Sequence, residues 1–169
     1  MYGSVILDLD QTLVDSQRLE PLRRRRRWRE VYSRIPTLSP FKGVPELLSD
    51  LHDDEILTAV VTSSPSSYCH RVLDHFGWQF DVTVCYHDTQ EHKPDPEPIR
   101  LALDRLDVVS GDAISVGDAA RDTLAARAAG VSTVGAFWGT MERTELRLSN
   151  PCFSCETVRD LRRVLGLAC

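Results

Sequence analysis

Two aspartates at the end of an apolar run carry the strongest chemical signal in the chain. Residues 5–7 are apolar, Asp8 and Asp10 follow two positions apart, and Thr12 comes two positions later. Because residues two apart on a β-strand point to the same side, both carboxylates are expected to face one way where the strand ends. Carboxylates this close repel each other, and a hard cation such as Mg²⁺ would relieve the repulsion. A strand that simply ends in a polar turn has the same pattern, so the pair alone leaves both interpretations open.

Three more clusters of reactive side chains occur further along the chain. They are formed by Thr62, Ser63 and Ser64, by Lys93, and by Asp118 with Asp122. The hydroxyls precede a helical pattern whose free N–H groups favour an anion, and the two aspartates, four residues apart, would share one face of a helix start. Each cluster also has a structural explanation, since serine caps helices, lysine is commonly solvated and acids suit the first helical turn.

Apolar runs alternate with helical patterns, which predicts an α/β fold with a parallel sheet and helices on both faces. The predicted strands are 4–9, 56–62, 80–85, 113–116 and 132–136, and the predicted helices are 44–53, 65–76, 96–106, 119–129 and 157–165. In such a sheet, ligands bind beyond the carboxyl ends of the strands, at the point where the strand order reverses. All four clusters are expected at that edge, so we expect them to form a single site.

Composition limits the class of protein. A chain of 169 residues with 42% apolar and 27% charged residues fits one globular domain, residues 1–169. The chain has no run of 18 apolar residues, so no membrane span is predicted. The chain enters a strand at once, which predicts no signal peptide and a cytoplasmic location. The cysteines are then expected to be reduced thiols. They are Cys69, Cys85, Cys152, Cys155 and Cys169, and the Cys-x-x-Cys spacing of the third and fourth lacks the second pair that a zinc site needs.

The four clusters, in this order, resemble the motifs of the haloacid dehalogenase (HAD) superfamily of Mg²⁺-dependent aspartyl phosphatases. The matching segments are Asp8-Leu9-Asp10-Gln11-Thr12, Thr62-Ser63-Ser64, Lys93-Pro94, and Gly117-Asp118 with Asp122. The resemblance covers residues 4–137 and implies a Rossmann-like core with five parallel strands in the order 3-2-1-4-5. Gln11 departs from the pattern, because glycine is the commonest residue there, but every functional group is kept.

The resemblance also implies a mechanism. Asp8 would attack the phosphorus and form an aspartyl-phosphate, and Asp10 would act as general acid and then general base. The cofactor would be Mg²⁺, held by Asp8, the backbone carbonyl of Asp10 and Asp118. Dehalogenases of the superfamily lack the second acid, so Asp10 favours phosphoryl chemistry.

The remaining site residues are assigned roles by the same resemblance. Thr62, Ser63 and Lys93 would bind the phosphoryl oxygens, where charge must be stabilised in the transition state. Thr12 and Asp122 would support the site, Asp122 by orienting Lys93 or a metal-bound water. The expected function is phosphomonoester hydrolysis. The alternatives are a phosphotransferase or mutase, a phosphatase for nucleic-acid ends, or a phosphate-binding module without catalysis.

An arginine-rich insert, residues 16–41, follows the first motif. It contains Arg23 to Arg27 and Arg29, although the net charge of the chain is −5. A single helix is predicted over residues 21–36, and since successive helical residues turn by roughly 100°, at least one arginine must lean toward the domain. The insert is too short for a full helical cap, which predicts a site that is open or is closed by another subunit.

Three interpretations of the arginines stay open. They form a solvated face, they bind a second anionic group of the substrate, or they bind nucleic acid. The acidic remainder of the chain disfavours nucleic acid, so a small phosphorylated molecule or a nucleotide is the expected substrate. The oligomeric state is left open.

Overall fold

Six parallel strands form the centre of the molecule in the computed structural model, which describes residues 2–167. In chain order the strands are β1 (Ser4–Leu7), β2 (Val14–Asp15), β3 (Ser39–Pro40), β4 (Leu57–Val61), β5 (Val82–Val84), β6 (Ala113–Gly117), β7 (Ser132–Ala136) and β8 (Phe153–Cys155). The large sheet has the order β5-β4-β1-β6-β7-β8, and β2 pairs with β3 in a small antiparallel sheet. The strand order reverses beside β1, which places the end of β1 where ligands bind in such sheets.

The five predicted strands are present, and their predicted order 3-2-1-4-5 is confirmed as β5-β4-β1-β6-β7. The prediction of five strands was wrong by one, because β8 extends the sheet beside β7. β8 has three residues, two of them exposed, so its sequence lacks the apolar run that indicates a buried strand.

Helices cover both faces of the sheet. They are α1 (Glu20–Arg24), α2 (Trp28–Arg34), α3 (Val44–Asp53), α4 (Ser66–Phe76), α5 (Glu97–Leu106), α6 (Ala120–Ala128), α7 (Arg143–Leu148) and α8 (Val158–Leu165). The predictions for α3, α4, α5, α6 and α8 hold to within one residue at each end. Some of these ends carry typical capping residues. Gly77 ends α4 in a left-handed conformation, and Thr157 forms a capping box with Asp160 at the start of α8. The longest, α4, has 11 residues, and no described helix is long and apolar enough to cross a bilayer.

Two apolar cores hold the layers together. On one face α3, α4 and α8 bury residues such as Leu47, Tyr68 and Leu161, and on the other α5 and α6 bury Ile99 and Ala125. Each fully buried leucine or isoleucine contributes about 1.5–3 kcal/mol relative to an exposed one. Because both faces of the sheet are covered, polar groups at its carboxyl edge are the ones left facing a cleft.

The insert folds differently from the prediction. The single helix expected over residues 21–36 was wrong, because the chain breaks into α1 and α2 at Arg26, whose φ of 54° is left-handed. A helix needs negative φ at every residue, so the break ends α1 there. After the break Trp28 packs 6.0 Å from the ring of Tyr68, and Val31 is fully buried. The insert is therefore attached to the core beside α4 at the carboxyl edge of the sheet.

Candidate active site

The loops that follow the central strands bring the predicted site residues to one edge of the sheet. Asp8 follows β1, Thr62 follows β4 and Asp118 follows β6, while Lys93 comes from the loop before α5. A cleft of about 620 Å³ opens at this edge, a size suited to a small-molecule ligand. The cleft is lined by residues from all of these loops and from the insert.

Lys93 lies at the centre of the buried part of the site. Its Nζ is 2.7 Å from Asp8 Oδ1 and 2.6 Å from Asp122 Oδ1, and it donates to the carbonyl of Val61 at 2.9 Å. Only 3% of the side chain is exposed. Burial lowers the pKa of Lys93, but the carboxylates of Asp122 and Asp8 outweigh it and raise that pKa above its ordinary value. Lys93 is therefore a permanent buried cation.

Three carboxylates surround this lysine. Asp8, Asp118 and Asp122 have oxygen atoms that all lie within 4.8 Å of one another. Burial raises the pKa of Asp8 to about 6, with Lys93 opposing and Asp122 adding to the shift. Burial, then Asp8 and Asp122, raise the pKa of Asp118 to about 8. The group is therefore short of positive charge, and its all-oxygen donors fit a hard divalent cation.

Asp10 lies in a separate set of contacts. Its Oδ1 accepts hydrogen bonds from Ser16 Oγ at 2.7 Å and from Tyr68 Oη at 2.8 Å. Its Oδ2 accepts from Ser64 Oγ at 2.9 Å and lies 2.7 Å from Nη2 of Arg23. Burial, and then the charge of Asp10, raise the pKa of Tyr68, so the phenol stays neutral and donates. Four donors thus fix the direction of the Asp10 carboxylate.

Arg23 is the arginine that leans into the domain. Besides Asp10 it contacts Glu20, with 3.2 Å between Nη1 and Oε2, and its guanidinium lies 5.3 Å above the ring of Tyr68. Burial lowers the pKa of Arg23, but the carboxylate of Asp10 outweighs it and raises that pKa. Sequence reasoning predicted that an arginine would turn inward, but neither Arg23 nor Tyr68 was singled out. A tyrosine on the apolar face of a helix gives no signal of such a role.

The second cluster divides its hydroxyls between two tasks. Thr62 is buried and its Oγ1 accepts from the amide of Ser64 at 3.1 Å. Ser64 is also buried and binds Asp10, whereas Ser63 lines the cleft. Thr62 keeps its hydroxyl hydrogen available as a donor. The cluster therefore offers donors both to Asp10 and to a ligand.

Close packing holds the loop that carries Asp10. Gln11 has a left-handed φ of 62°, which explains why the resemblance expects glycine there. Gly139 is needed beside it, because a Cβ at that position would lie 1.8 Å from the Gln11 carbonyl oxygen. Trp138 Nε1 donates to the Thr12 carbonyl at 3.0 Å, and Thr12 Oγ1 donates to Asp118 Oδ1 at 3.2 Å. Thr12 thus links the first motif to the fourth.

The fourth motif depends on its glycine. A Cβ at Gly117 would lie 2.3 Å from Cβ of Asp122, so only glycine lets that side chain reach Lys93. Asp122 Oδ2 also accepts from the amide of Ala119 at 3.0 Å, which fixes the first turn of α6. The orientation of Asp122 is therefore set by the backbone of its own motif.

The four cysteines within residues 2–167 are not part of this site. Cys155 is buried in β8, and the amide of Cys152 donates to Thr133 Oγ1 at 3.0 Å. Cys69 and Cys85 are buried thiols. Within residues 2–167 the acidic group around Lys93 is the one cluster with metal-ligand geometry. The fifth cysteine, Cys169, lies outside the described residues.

Comparison with known proteins agrees with the geometry. The family model for haloacid dehalogenase-like hydrolases matches residues 17–136. A pyrophosphatase, PpaX, of Bacillus velezensis is 38% identical over 132 residues, which are 77% of this chain and 61% of that protein. A phosphoglycolate phosphatase of Xanthomonas campestris is 40% identical over 101 residues, 59% of this chain and 46% of that protein. The chain thus spans about half the length of the curated relatives it matches.

Solved structures show the same fold. The crystal structure of CbbY from Rhodobacter sphaeroides in complex with phosphate aligns with a TM-score of 0.80 over 95% of this chain and 96% of that chain, at 18% identity. Such a low identity speaks for the fold alone. The family match covers most of the chain, and the motif residues meet at one edge of the sheet. The chain therefore belongs to the haloacid dehalogenase-like hydrolases.

Proposed function

We propose that the protein is a Mg²⁺-dependent phosphomonoester hydrolase that forms an aspartyl-phosphate on Asp8. The observation that carries this proposal is the buried contact of 2.7 Å between Asp8 and Lys93, inside an all-oxygen group and beside a second, separately held carboxylate at Asp10. A nucleophile, a fixed cation and an acid–base group are the parts that stepwise phosphoryl transfer needs.

Asp8 is the proposed nucleophile. Lys93 favours the ionised carboxylate and directs one of its oxygens, leaving the other to attack phosphorus. Attack forms the Asp8–phosphorus bond and breaks the bond between phosphorus and the leaving oxygen. Water then attacks the aspartyl-phosphate and releases inorganic phosphate, restoring Asp8. Two easier displacements thus replace one difficult displacement.

Asp10 is the proposed general acid and base. It would give a proton to the leaving oxygen in the first step and take one from the attacking water in the second. Its four hydrogen-bond donors support this role, because they hold the carboxyl group in one direction at the wall of the cleft. General acid–base catalysis needs the catalytic group within hydrogen-bond reach of the proton that it transfers, and a fixed position provides this reach.

The metal and the phosphoryl oxygens complete the proposal. Asp8, Asp118 and the backbone carbonyl of Asp10 would hold Mg²⁺, whose chemistry is to reduce the repulsion between a carboxylate and an anionic phosphate. Asp122 would keep its contact with Lys93 instead. Thr62 and Ser63, which follow β4, and Lys93, which lies in the loop before α5, would bind the phosphoryl oxygens with their hydroxyl and ammonium groups.

The cleft favours a small substrate and hydrolysis. We propose residues 16–41 as a reduced cap within a single domain, 1–169, which leaves the site open to water as a hydrolase requires. A phosphotransferase or mutase would instead need a cap that excludes water. Two relatives are named as a pyrophosphatase and a phosphoglycolate phosphatase, which supports a small phosphorylated substrate.

The mechanism is tested with Asp8→Asn. We expect Mg²⁺-dependent phosphate release from 4-nitrophenyl phosphate to fall by at least about 10³-fold, because an amide cannot attack phosphorus. Asp54→Asn is the matched control, since Asp54 is an exposed aspartate that follows α3, and it should keep wild-type activity. Undiminished activity of Asp8→Asn would refute the mechanism.

A further inference from the structure

The arginines that line the cleft differ in what they contact. They are Arg23, Arg24, Arg26 and Arg121. The first is bound to Asp10 and Glu20, and the second lies with its Nε 2.8 Å from Glu20. By contrast, the side chains of Arg26 and Arg121 make no hydrogen bond or ion pair with any residue in the described part of the chain. Two of the four positive charges are therefore already neutralised by a direct partner, and two are not.

Of the two unpaired arginines, Arg121 has the position closest to the chemistry. It is the second residue of α6, three positions after Asp118 and directly before Asp122. Arg26 lies in the turn between α1 and α2, and both side chains are exposed. A side chain carried by a helix of the core is better fixed than one on a turn of the insert, so it suits precise recognition.

The field around Arg121 is negative, yet no side chain within residues 2–167 forms a hydrogen bond or ion pair with its guanidinium. Desolvation at the cleft lowers the pKa of Arg121, but the charges of Asp122, Asp8 and Asp118 outweigh this effect and raise that pKa. Those carboxylates have closer partners, since Lys93 contacts Asp8 and Asp122, and Thr12 contacts Asp118. The five donors of the guanidinium therefore remain available to an incoming ligand.

We propose that Arg121 recognises a second acidic group on the substrate, so that the preferred substrates are compact phosphate compounds with a carboxylate or a second phosphate close to the phosphorus attacked. This inference rests on the proposed function. Lys93 already binds the phosphoryl group that is transferred. A further cation at the edge of the site would therefore bind a further anionic group of the substrate. A guanidinium suits that task, because its planar fork binds carboxylate or phosphate through two parallel hydrogen bonds.

The test compares two pairs of substrates that differ only in the second acidic group. One pair is 2-phosphoglycolate and its neutral amide, and the other is ethylene glycol bisphosphate and 2-hydroxyethyl phosphate, in which the leaving group is an alkoxide in both compounds. We expect the wild type to have a higher kcat/KM for the acidic member of at least one pair. The pair that shows the preference identifies the second group as a carboxylate or a phosphate.

Arg121→Ala should remove this preference. We expect kcat/KM for the favoured acidic compound to fall about 10- to 100-fold, mostly through KM, because a charge-assisted hydrogen bond is lost. The loss for its neutral counterpart should be less than about threefold, since no charge-assisted bond is lost there. Arg121→Lys should restore part of the preference, because lysine keeps the charge but not the planar fork. Arg159→Ala, at an exposed arginine of α8 outside the cleft, is the matched control and should behave as wild type.

Distinct results overturn the inference and the function. An equal loss on acidic and neutral compounds would show that Arg121 acts structurally, and a wild type without preference would equally refute the inference. Hydrolysis of 4-nitrophenyl phosphate but of none of the four compounds would refute the inference and leave the proposed function intact. A wild type that releases no phosphate from any of these compounds with Mg²⁺ would refute both.

Discussion

Asp8 and Asp10 are two residues apart, but the structure places their carboxylates in two different environments. Asp8 belongs to a buried cluster made by the core loops, where Lys93 contacts both Asp8 and Asp122. Asp10 faces the insert and α4, where three hydroxyl groups and Arg23 surround it. Around Asp8 a single lysine faces several carboxylates, whereas around Asp10 both carboxylate oxygens have hydrogen-bond donors. Neighbouring acids can therefore take different roles because different parts of the fold supply their partners.

The partners of Asp8 and Asp10 also come from different parts of the chain. The partners of Asp8 come from loops between core strands and helices, and Gly117 lets Asp122 pack against its own motif. Two partners of Asp10 come from the insert instead, namely Ser16 and Arg23. The insert can thus change in sequence and alter the Asp10 side of the site without disturbing the cluster around Lys93.

The largest expected effect follows from removing the cation of the Asp8 side. Lys93→Met should destabilise the protein by about 3–5 kcal/mol at pH 8 without metal, because the buried carboxylates of Asp8 and Asp122 lose their positive partner. Urea unfolding measures this loss. Lys42→Met is the matched control, since Lys42 is the chain's other lysine and is exposed. A loss no larger than that of the control would show that the Asp8 side does not depend on this charge.

The same cluster predicts a pH-dependent response to Mg²⁺. The pKa of Asp118 is about 8 and that of Asp8 about 6, against 3.8 when unfolded, so between pH 4 and 8 the folded state binds more protons. The contribution of this pair to stability therefore falls as the pH rises through that window. A cation favours the ionised forms, so Mg²⁺ should stabilise the fold more at pH 8 than at pH 5.5. At pH 8 the stabilisation should be about 3 kcal/mol when Mg²⁺ is in hundredfold excess over its Kd.

Thermal unfolding with and without Mg²⁺ at the two pH values checks this response. Asp118→Asn is the internal control, because it removes a carboxyl group whose pKa is raised to about 8 and should abolish most of the shift. An equal shift at both pH values in the wild type would contradict the proposed metal site.

The smallest expected effect concerns the Asp10 side. Arg23→Met should cost about 1–3 kcal/mol, less than Lys93→Met, because Asp10 keeps its three hydroxyl donors. Arg24→Met is the matched control: Arg24 is 77% exposed and pairs with Glu20, so its loss should stay below about 1 kcal/mol in urea unfolding. Equal losses for the two variants would show that the contact between Arg23 and Asp10 stabilises the fold no more than an exposed ion pair does.

Much of the fold was predictable because its signals are local. Alternating apolar runs and helical patterns indicated five of the six strands of the main sheet, the family resemblance implied their order, and α3 was predicted with both ends correct. The elements that were missed or wrong are short or charged. β8 has three residues and α7 has six, too few for a periodic pattern, and the arginine run conceals the break at Arg26.

The site divides in the same way. Asp8, Lys93 and Asp118 follow strands or precede helices, so their convergence at one edge follows from the topology of a parallel sheet. Tyr68 is different, since it lies 58 residues from Asp10 along the chain and only the packing of α4 brings its hydroxyl to that carboxylate. Arg121 was overlooked beside Asp118, because an exposed arginine in a helix is ordinary in sequence.

The order of amino acids alone sets where the strands end and which acids, hydroxyls and lysine stand at those ends, since strand and helix periodicity act over neighbouring residues. It therefore determined the edge that carries the site and the motifs by which the chain resembles its family, and the sheet order was implied by that resemblance. Only the folded chain decides that Lys93 pairs with Asp8, that Arg23 pairs with Asp10 and that Arg121 has no such partner among the described residues. Those pairings depend on distances between atoms far apart in sequence, which packing sets and local pattern does not record.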